Sequence, residues 1–151
     1  MTFKVGLVCS HGGHLTETLQ LLDAFKGFEL FFATYHSPRD DTLREIAPVY
    51  FTQNFGKSIF RLLLGFVWAW KIMWYEKPDV ILSLGAELAI PFMYIAKTYG
   101  IKTIYIESWC RVENLSRTGK LVYPVVDQFW VQWPELLAVC GPKAQYHGAV
   151  V

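Results

Sequence analysis

The amino-acid sequence predicts an α/β domain built on a doubly wound parallel sheet. Apolar strand segments alternate regularly with helical ones. The strands read as nearly unbroken apolar runs, the mark of a sheet covered by helices on both faces. The first strand ends in paired glycines at a helix start, beside the carboxyl edge where such sheets bind their ligands.

The first strand, residues 3–9, reads Phe3-Lys4-Val5-Gly6-Leu7-Val8-Cys9 and passes through Ser10-His11-Gly12-Gly13-His14 into an amphipathic helix over 15–25. A strand over 28–33 follows, and a polar loop with Pro38, Arg39, Asp40 and Asp41 opens a short helix ending at Ile46. Asp40-Asp41 places negative charge at that helix's positive end. Next come a strand over 49–52, a long apolar segment over 58–75 and a strand over 79–84. A helix over 87–99 then meets Gly100, placed as a helix-terminating glycine. A strand over 101–107, a short helix over 116–123, a strand over 128–131 and a turn from Pro134 complete the order. Pro124, Asp127 and Trp133-Pro134 read as structural.

At 151 residues the chain is expected to form one domain over 1–151, with a single large core. A formal net charge of +1 argues against nucleic acid as a partner. The hydrophobic fraction of 53% and aromatic fraction of 17%, with mean hydropathy +0.26, are high for a soluble monomer. Apolar surface meeting a partner or lipid, or an unusually aromatic core, accounts for them. Cys9, Cys110 and Cys140 are odd in number and far apart, which suits a reducing cytoplasm better than a disulfide framework or zinc site. Cys9, in an apolar strand, reads as a small buried thiol. No basic stretch followed by a long apolar run stands at the start, so no signal peptide is expected.

Free N–H groups and the helix dipole at Gly12-Gly13 favour phosphate, carboxylate or a developing oxyanion. A single glycine pair is not the G-x-G-x-x-G of dinucleotide folds. His14 exchanges protons near neutral pH. The plain alternative is a tight turn with a solvated histidine. The loops 10–14, 35–39, 85–87 and 107–111 lie at carboxyl ends of strands, and they supply the candidates Ser10, Gly12, Gly13, His14, Glu87, Glu107 and Arg111. Glu107 can orient an acceptor hydroxyl or support a base. Arg111 can clamp a phosphate in bidentate fashion. An Arg111–Glu107 ion pair that merely fixes the loop explains the spacing equally well. Glu87 lines the cleft or caps its helix. No His, Cys or carboxylate spacing calls for a metal, and no cofactor is expected.

Between Arg61 and Lys71 the chain reads Leu62-Leu63-Leu64-Gly65-Phe66-Val67-Trp68-Ala69-Trp70, with Trp74 and Tyr75 beyond. Spanning a bilayer takes about 20 apolar residues, and the two charges halve this run. A helix lying in the membrane interface suits it better, with Trp68, Trp70 and Trp74 at the headgroup level and Arg61, Lys71, Lys57 and Lys77 reaching lipid phosphates. The rivals are a protein partner and a helix packed on the sheet.

The chain resembles the membrane-anchor subunit of the two-part N-acetylglucosaminyltransferase that adds the second sugar of the dolichol-linked oligosaccharide, and the related bacterial and archaeal polysaccharide-synthesis proteins. The resemblance lies in Ser10-His11-Gly12-Gly13-His14, in Glu107-Ser108 with Arg111-Val112, in Leu115-Ser116 with Thr118-Gly119-Lys120, and in Val131-Gln132-Trp133-Pro134. The glycine-histidine loop is also similar to that of the lipid-II-forming glycosyltransferase of peptidoglycan synthesis. The resemblance implies a Rossmann-like domain, the N-terminal, acceptor-binding half of a GT-B glycosyltransferase. A separate chain would bind the nucleotide sugar, and the acceptor would be a sugar carried on polyprenyl diphosphate at the cytoplasmic face of a membrane. Eukaryotic relatives carry an N-terminal span; this sequence starts directly at the first strand, so peripheral attachment is expected to rest on 58–75. The end at Gly148–Val151, with no second α/β domain, agrees with the split arrangement. In that setting His14 is the first choice for the base and Glu107 the second, while Gly12, Gly13 and Arg111 would hold phosphate. A non-catalytic recruiter of the partner, or a nucleotide-binding module of unrelated activity, would share these residues.

Overall fold

A computed structural model describes residues 2–150; Met1 and Val151, the two ends of the expected domain, lie outside the described residues. The strands are β1 (Lys4–Val8), β2 (Glu29–Tyr35), β3 (Val49–Thr52), β4 (Val80–Ser83), β5 (Lys102–Ile106), β6 (Gln128–Val131) and β7 (Ala144–Tyr146). They form one sheet in the order β3-β2-β1-β4-β5-β6-β7, every pair parallel. The chain winds outward from β1 to β3, crosses back, and winds outward again from β4. The crossover makes the gap between the carboxyl ends of β1 and β4 the switch point of the sheet, where the helices diverge and leave a crevice.

Register explains why the central strands are apolar on both sides. Leu7 lies beside Phe32 and Leu82, and with Leu15, Leu43 and Leu84 these fill the core beneath α1 (Gly13–Gln20) and α2 (Asp40–Ile46). One residue earlier, Gly6 lies between Phe31 and Ile81 on the opposite face. A Cβ at Gly6 would stand 2.4 Å from the Phe31 ring, so the glycine makes room for that ring. This second core also takes Phe92, Met93, Tyr105 and Phe129, and it is covered by α3 (Ile59–Glu76), α4 (Ala89–Tyr99) and α5 (Arg117–Val122). Fully burying each large apolar side chain contributes about 1.5–3 kcal/mol, so the two faces together dominate the fold's stability.

Three expectations about elements change. The helix expected over 15–25 ends at Gln20, and a 3-10 turn over Leu22–Phe25 completes it. Apolar residues three apart continue through a 3-10 turn, so the periodicity did not reveal the break. The turn from Pro134 becomes a 3-10 turn and a short α6 (Leu137–Cys140), which lead to β7, a strand the sequence does not predict. Ala144-Gln145-Tyr146 is a short edge strand, half-buried to exposed, and lacks the apolar run by which the other strands were recognised.

The expected stop at Gly100 is present, with φ 67° at the end of α4, and α2 opens at Asp40, whose carboxylate accepts from the Ser37 N–H at 2.7 Å. Asp127 accepts from the Thr103 N–H and hydroxyl at 2.9 and 3.1 Å, tying the start of β6 to β5.

The long helix α3 carries apolar residues on its outward as well as its inward side. Gly65, Ala69, Ile72 and Met73 face the sheet, and a Cβ on Gly65 would stand 2.4 Å from Phe55. Trp68, expected at the membrane, instead packs edge-on against Phe92 with ring centroids 5.6 Å apart. It sits three residues after Gly65 and four before Ile72, which puts it on the inward side. Phe60, Leu63, Val67, Trp70 and Trp74 form an outward stripe, each at least 45% exposed. Trp70 and Trp74 stack at 6.3 Å, and the Trp70 indole N–H donates to the Tyr99 hydroxyl at 2.6 Å. Arg61 and Lys71 are exposed, with an Arg61 N–H donating to the Asn54 carbonyl at 3.2 Å. Among the described residues no helix is long and apolar enough to cross a membrane.

Candidate functional site

A cavity of about 410 Å³ opens over the switch point. Its walls come from the start of α1 (Gly13, His14, Glu17), the β4 turn (Gly85, Ala86), the β5 end and the loop behind it (Tyr105, Ser108, Cys110, Arg111), and the entry to α5 (Ser116, Arg117, Thr118). The structure thus brings Gly13 and His14, from the start of α1, together with Arg111 from the loop behind β5.

Gly12 precedes α1 with φ 82° and ψ −134°, a conformation that favours glycine. The space beside both Gly12 and Gly13 is open, because a Cβ on either would meet no heavy atom within 4 Å. Neither glycine is demanded by packing at its own Cα, so their bare backbone leaves room for a ligand. Ser10 is half-buried and does not line the cavity; its hydroxyl donates to the neighbouring His11 carbonyl at 3.3 Å.

His14 stands in the first turn of α1 with its ring against Gly85. A Cβ on Gly85 would stand 2.7 Å from the imidazole Cε1, and Gly85 itself has φ 123°. The next residue, Ala86, takes φ 71°, which costs a non-glycine residue on the order of 1–3 kcal/mol. The β4 turn therefore holds strain where it makes room for the imidazole. His14 Nδ1 is buried and has no hydrogen-bond partner among the described residues. A buried polar atom left unmatched is costly and marks a place for a ligand or water.

Glu107 is fully buried and is not part of the cavity wall. Its Oε1 accepts from the Ser108 N–H at 3.0 Å, and its Oε2 accepts from the Ser116 N–H at 2.9 Å and the Ser116 hydroxyl at 3.0 Å. Gly119 lets this happen: a Cβ there would stand 2.2 Å from Oε2. The carboxylate stitches the β5 end to the entry of α5. Among the described residues neither Glu107 nor Arg111 forms an ion pair, so the loop is fixed by these hydrogen bonds and Arg111 stays exposed and free. Glu87 neither lines the cavity nor caps α4; it accepts from the Tyr35 hydroxyl at 3.0 Å. Burial raises the Tyr35 phenol well above its ordinary value, with the Glu87 charge adding to the effect.

Glu17 was not singled out from the sequence. It is 6% exposed on α1, accepting from the Gln132 amide at 2.8 Å, the Trp109 N–H at 3.3 Å and the Ser108 hydroxyl at 3.3 Å. Gln132 in turn accepts from the Val150 N–H at 2.9 Å. The signal was available: a carboxylate three residues after His14 lies on the same, inward helix face. With Glu17 and Glu107 saturated by hydrogen bonds, Arg111 and Arg117 are the cavity's unpaired charges, and its mouth favours an anion. Among the described residues no group of three His, Cys, Asp or Glu side chains is placed to hold a metal ion.

The fold itself is shared with much larger enzymes. The chain superposes on MurG of Acinetobacter baumannii with TM-score 0.80 at 16% identity, covering 97% of this chain and 45% of that one. The UDP-GlcNAc 2-epimerase of Neisseria meningitidis gives TM-score 0.74 at 14% identity, covering 98% and 47%. The chain spans less than half the length of these structures, and the likeness establishes one Rossmann-like half of the GT-B architecture. In sequence it is 29% identical to the human UDP-N-acetylglucosamine transferase subunit ALG14, across 99% of this chain and 84% of the relative. It is 32% identical to the Schizosaccharomyces pombe subunit of the same name, across 92% and 79%. Residues 49–150 match the model of a family described as "Oligosaccharide biosynthesis protein Alg14 like", a stretch that holds the β4 turn, the Glu107–Arg111 loop and Gln132. The chain belongs to that Alg14-like family of oligosaccharide biosynthesis proteins.

Proposed function

We propose that this chain is the acceptor-binding, membrane-associating subunit of a split GT-B glycosyltransferase. A separate chain binds a UDP-sugar, carrying N-acetylglucosamine or a related hexose. The pair transfers that sugar to an acceptor linked to polyprenyl diphosphate. The observation that carries the reading is the cavity at the switch point, where one imidazole, a bare glycine backbone and two unpaired arginines face the same space.

In the reaction His14 takes the proton of the acceptor hydroxyl while that oxygen bonds to the sugar's anomeric carbon and the bond to the nucleotide diphosphate breaks. Gly12, Gly13 and Arg111 face the departing nucleotide diphosphate across the cleft and hold its oxygens. Glu107 shapes the loop that presents Arg111 and takes no proton itself, since its oxygens are enclosed. The outward stripe of α3, ringed by Lys57, Arg61, Lys71 and Lys77, lies on the membrane surface with its tryptophans at headgroup depth. Attachment is peripheral, on the cytoplasmic face. The names of the relatives support the partner and the donor sugar, each being called a subunit of a UDP-N-acetylglucosamine transferase.

The test is His14→Ala in a reconstituted pair. Turnover is expected to fall on the order of 10²-fold or more while the two chains still co-purify. Unchanged turnover would leave this chain as a recruiter of its partner only.

A further inference from the structure

A second depression of about 290 Å³ adjoins the cavity at the switch point. The two share the side chains of Arg117 and Thr118. The floor of the depression is apolar: Leu62 of α3, Ile90 of α4 and Leu121 of α5, with Phe55 beneath. Lys57 and Arg117 stand at its rim, both exposed, and no carboxylate among the described residues pairs with either. Ile59, which is 71% exposed, borders the depression and also begins the outward apolar face of α3. An apolar trough thus runs from α3 to the cavity, with cations where the two spaces meet.

From this we infer that the trough binds the first isoprene units of the lipid carrier, and that Arg117 with Lys57 grips the diphosphate at the junction. The inference rests on the proposed acceptor and assigns the part of it beyond the sugar. A ligand that fits must be apolar at one end and multiply anionic at the other. A prenyl diphosphate has that pattern, with the charged group at the position the cations occupy. Continuity with the outward face of α3 gives the rest of the lipid a path toward the bilayer. Arg117 is the pivot, since among the described residues it alone of the cationic side chains borders both spaces.

The chain alone suffices for the test, so it does not depend on a partner. Titration calorimetry with farnesyl diphosphate, inorganic pyrophosphate and decanoate in detergent-free buffer gives three affinities. The wild type is expected to bind farnesyl diphosphate at least tenfold more tightly than either other probe. Leu121→Glu replaces a side chain that is 52% exposed, so the fold tolerates it, and circular dichroism verifies that. It is expected to erase the preference over pyrophosphate. Arg117→Ala is expected to weaken farnesyl diphosphate by roughly 10- to 100-fold, the loss of a hydrogen bond to a charged group. Equal affinity for all three probes, or a preference untouched by both variants, overturns the inference. If those variants bind as wild type while the reconstituted pair still transfers sugar to a prenyl-linked acceptor, the trough is abandoned and the proposed function stands. If farnesyl diphosphate behaves as expected and the pair transfers nothing, the proposed function falls and the binding site remains.

Discussion

Replacing Glu107 with glutamine separates chemistry from architecture at this site. The substitution preserves shape, so the tight approach of Gly119 is not disturbed. It exchanges one oxygen for an amide nitrogen, and every neighbour of the carboxylate is a donor: the Ser108 N–H, the Ser116 N–H and the Ser116 hydroxyl. Whichever way the amide turns, one N–H faces another. With the nitrogen toward Ser108, one buried donor loses its partner at about 1–3 kcal/mol, and two charge-assisted bonds become neutral ones at about 1 kcal/mol each. Relief from burying a charge offsets part of this, leaving a net loss of about 2–4 kcal/mol. For a chain of this size each kcal/mol moves the melting temperature by about 2–4 °C, so Glu107→Gln should melt about 4–16 °C below wild type. Thermal unfolding followed by circular dichroism reads this directly. A variant that melts with wild type yet loses turnover in the reconstituted pair would refute the architectural role and return Glu107 to the chemistry.

Gly13→Ala meets open space, so its melting temperature should stay within about 2 °C of wild type while affinity for pyrophosphate falls; an unaltered affinity would remove the glycine turn from phosphate binding. Trp70→Ala with Trp74→Ala should release the protein from anionic vesicles in a flotation assay, and wild type should come off membranes in carbonate; retention after carbonate would argue against peripheral attachment. Under native conditions a thiol reagent at pH 8 should label Cys110 alone, since burial pushes the Cys9 and Cys140 thiols each up to about 11. Rapid labelling of a second cysteine would show that the core opens easily.

The sheet was legible because a strand covered on both faces leaves an apolar run that side chains in solvent would not tolerate. Tyr146 and its neighbours carried no such run, and β7 went unread for that reason. The site was legible in part, since the positions that close a strand are visible in sequence while the groups they meet are not. His14 and Arg111, almost a hundred residues apart in the chain, line one cavity. Glu107 closes a strand in the same way, and only its partner nine residues onward, with the missing Cβ of Gly119, shows that its carboxylate is enclosed. Trp68 makes the same point in α3. A helix with apolar residues on both sides does not declare which stripe faces inward, and the deciding sign was small residues rather than large ones. Gly65 and Ala69 mark the side that approaches Phe55 and the sheet, and the phase they set sends Trp68 inward and leaves Trp70 and Trp74 outside. That phase also carries Leu62 inward to the edge of the trough beside Ile90. Packing of α3 against α4, with α5 alongside α4, therefore leaves an apolar trough next to the cations that border the cavity at the switch point.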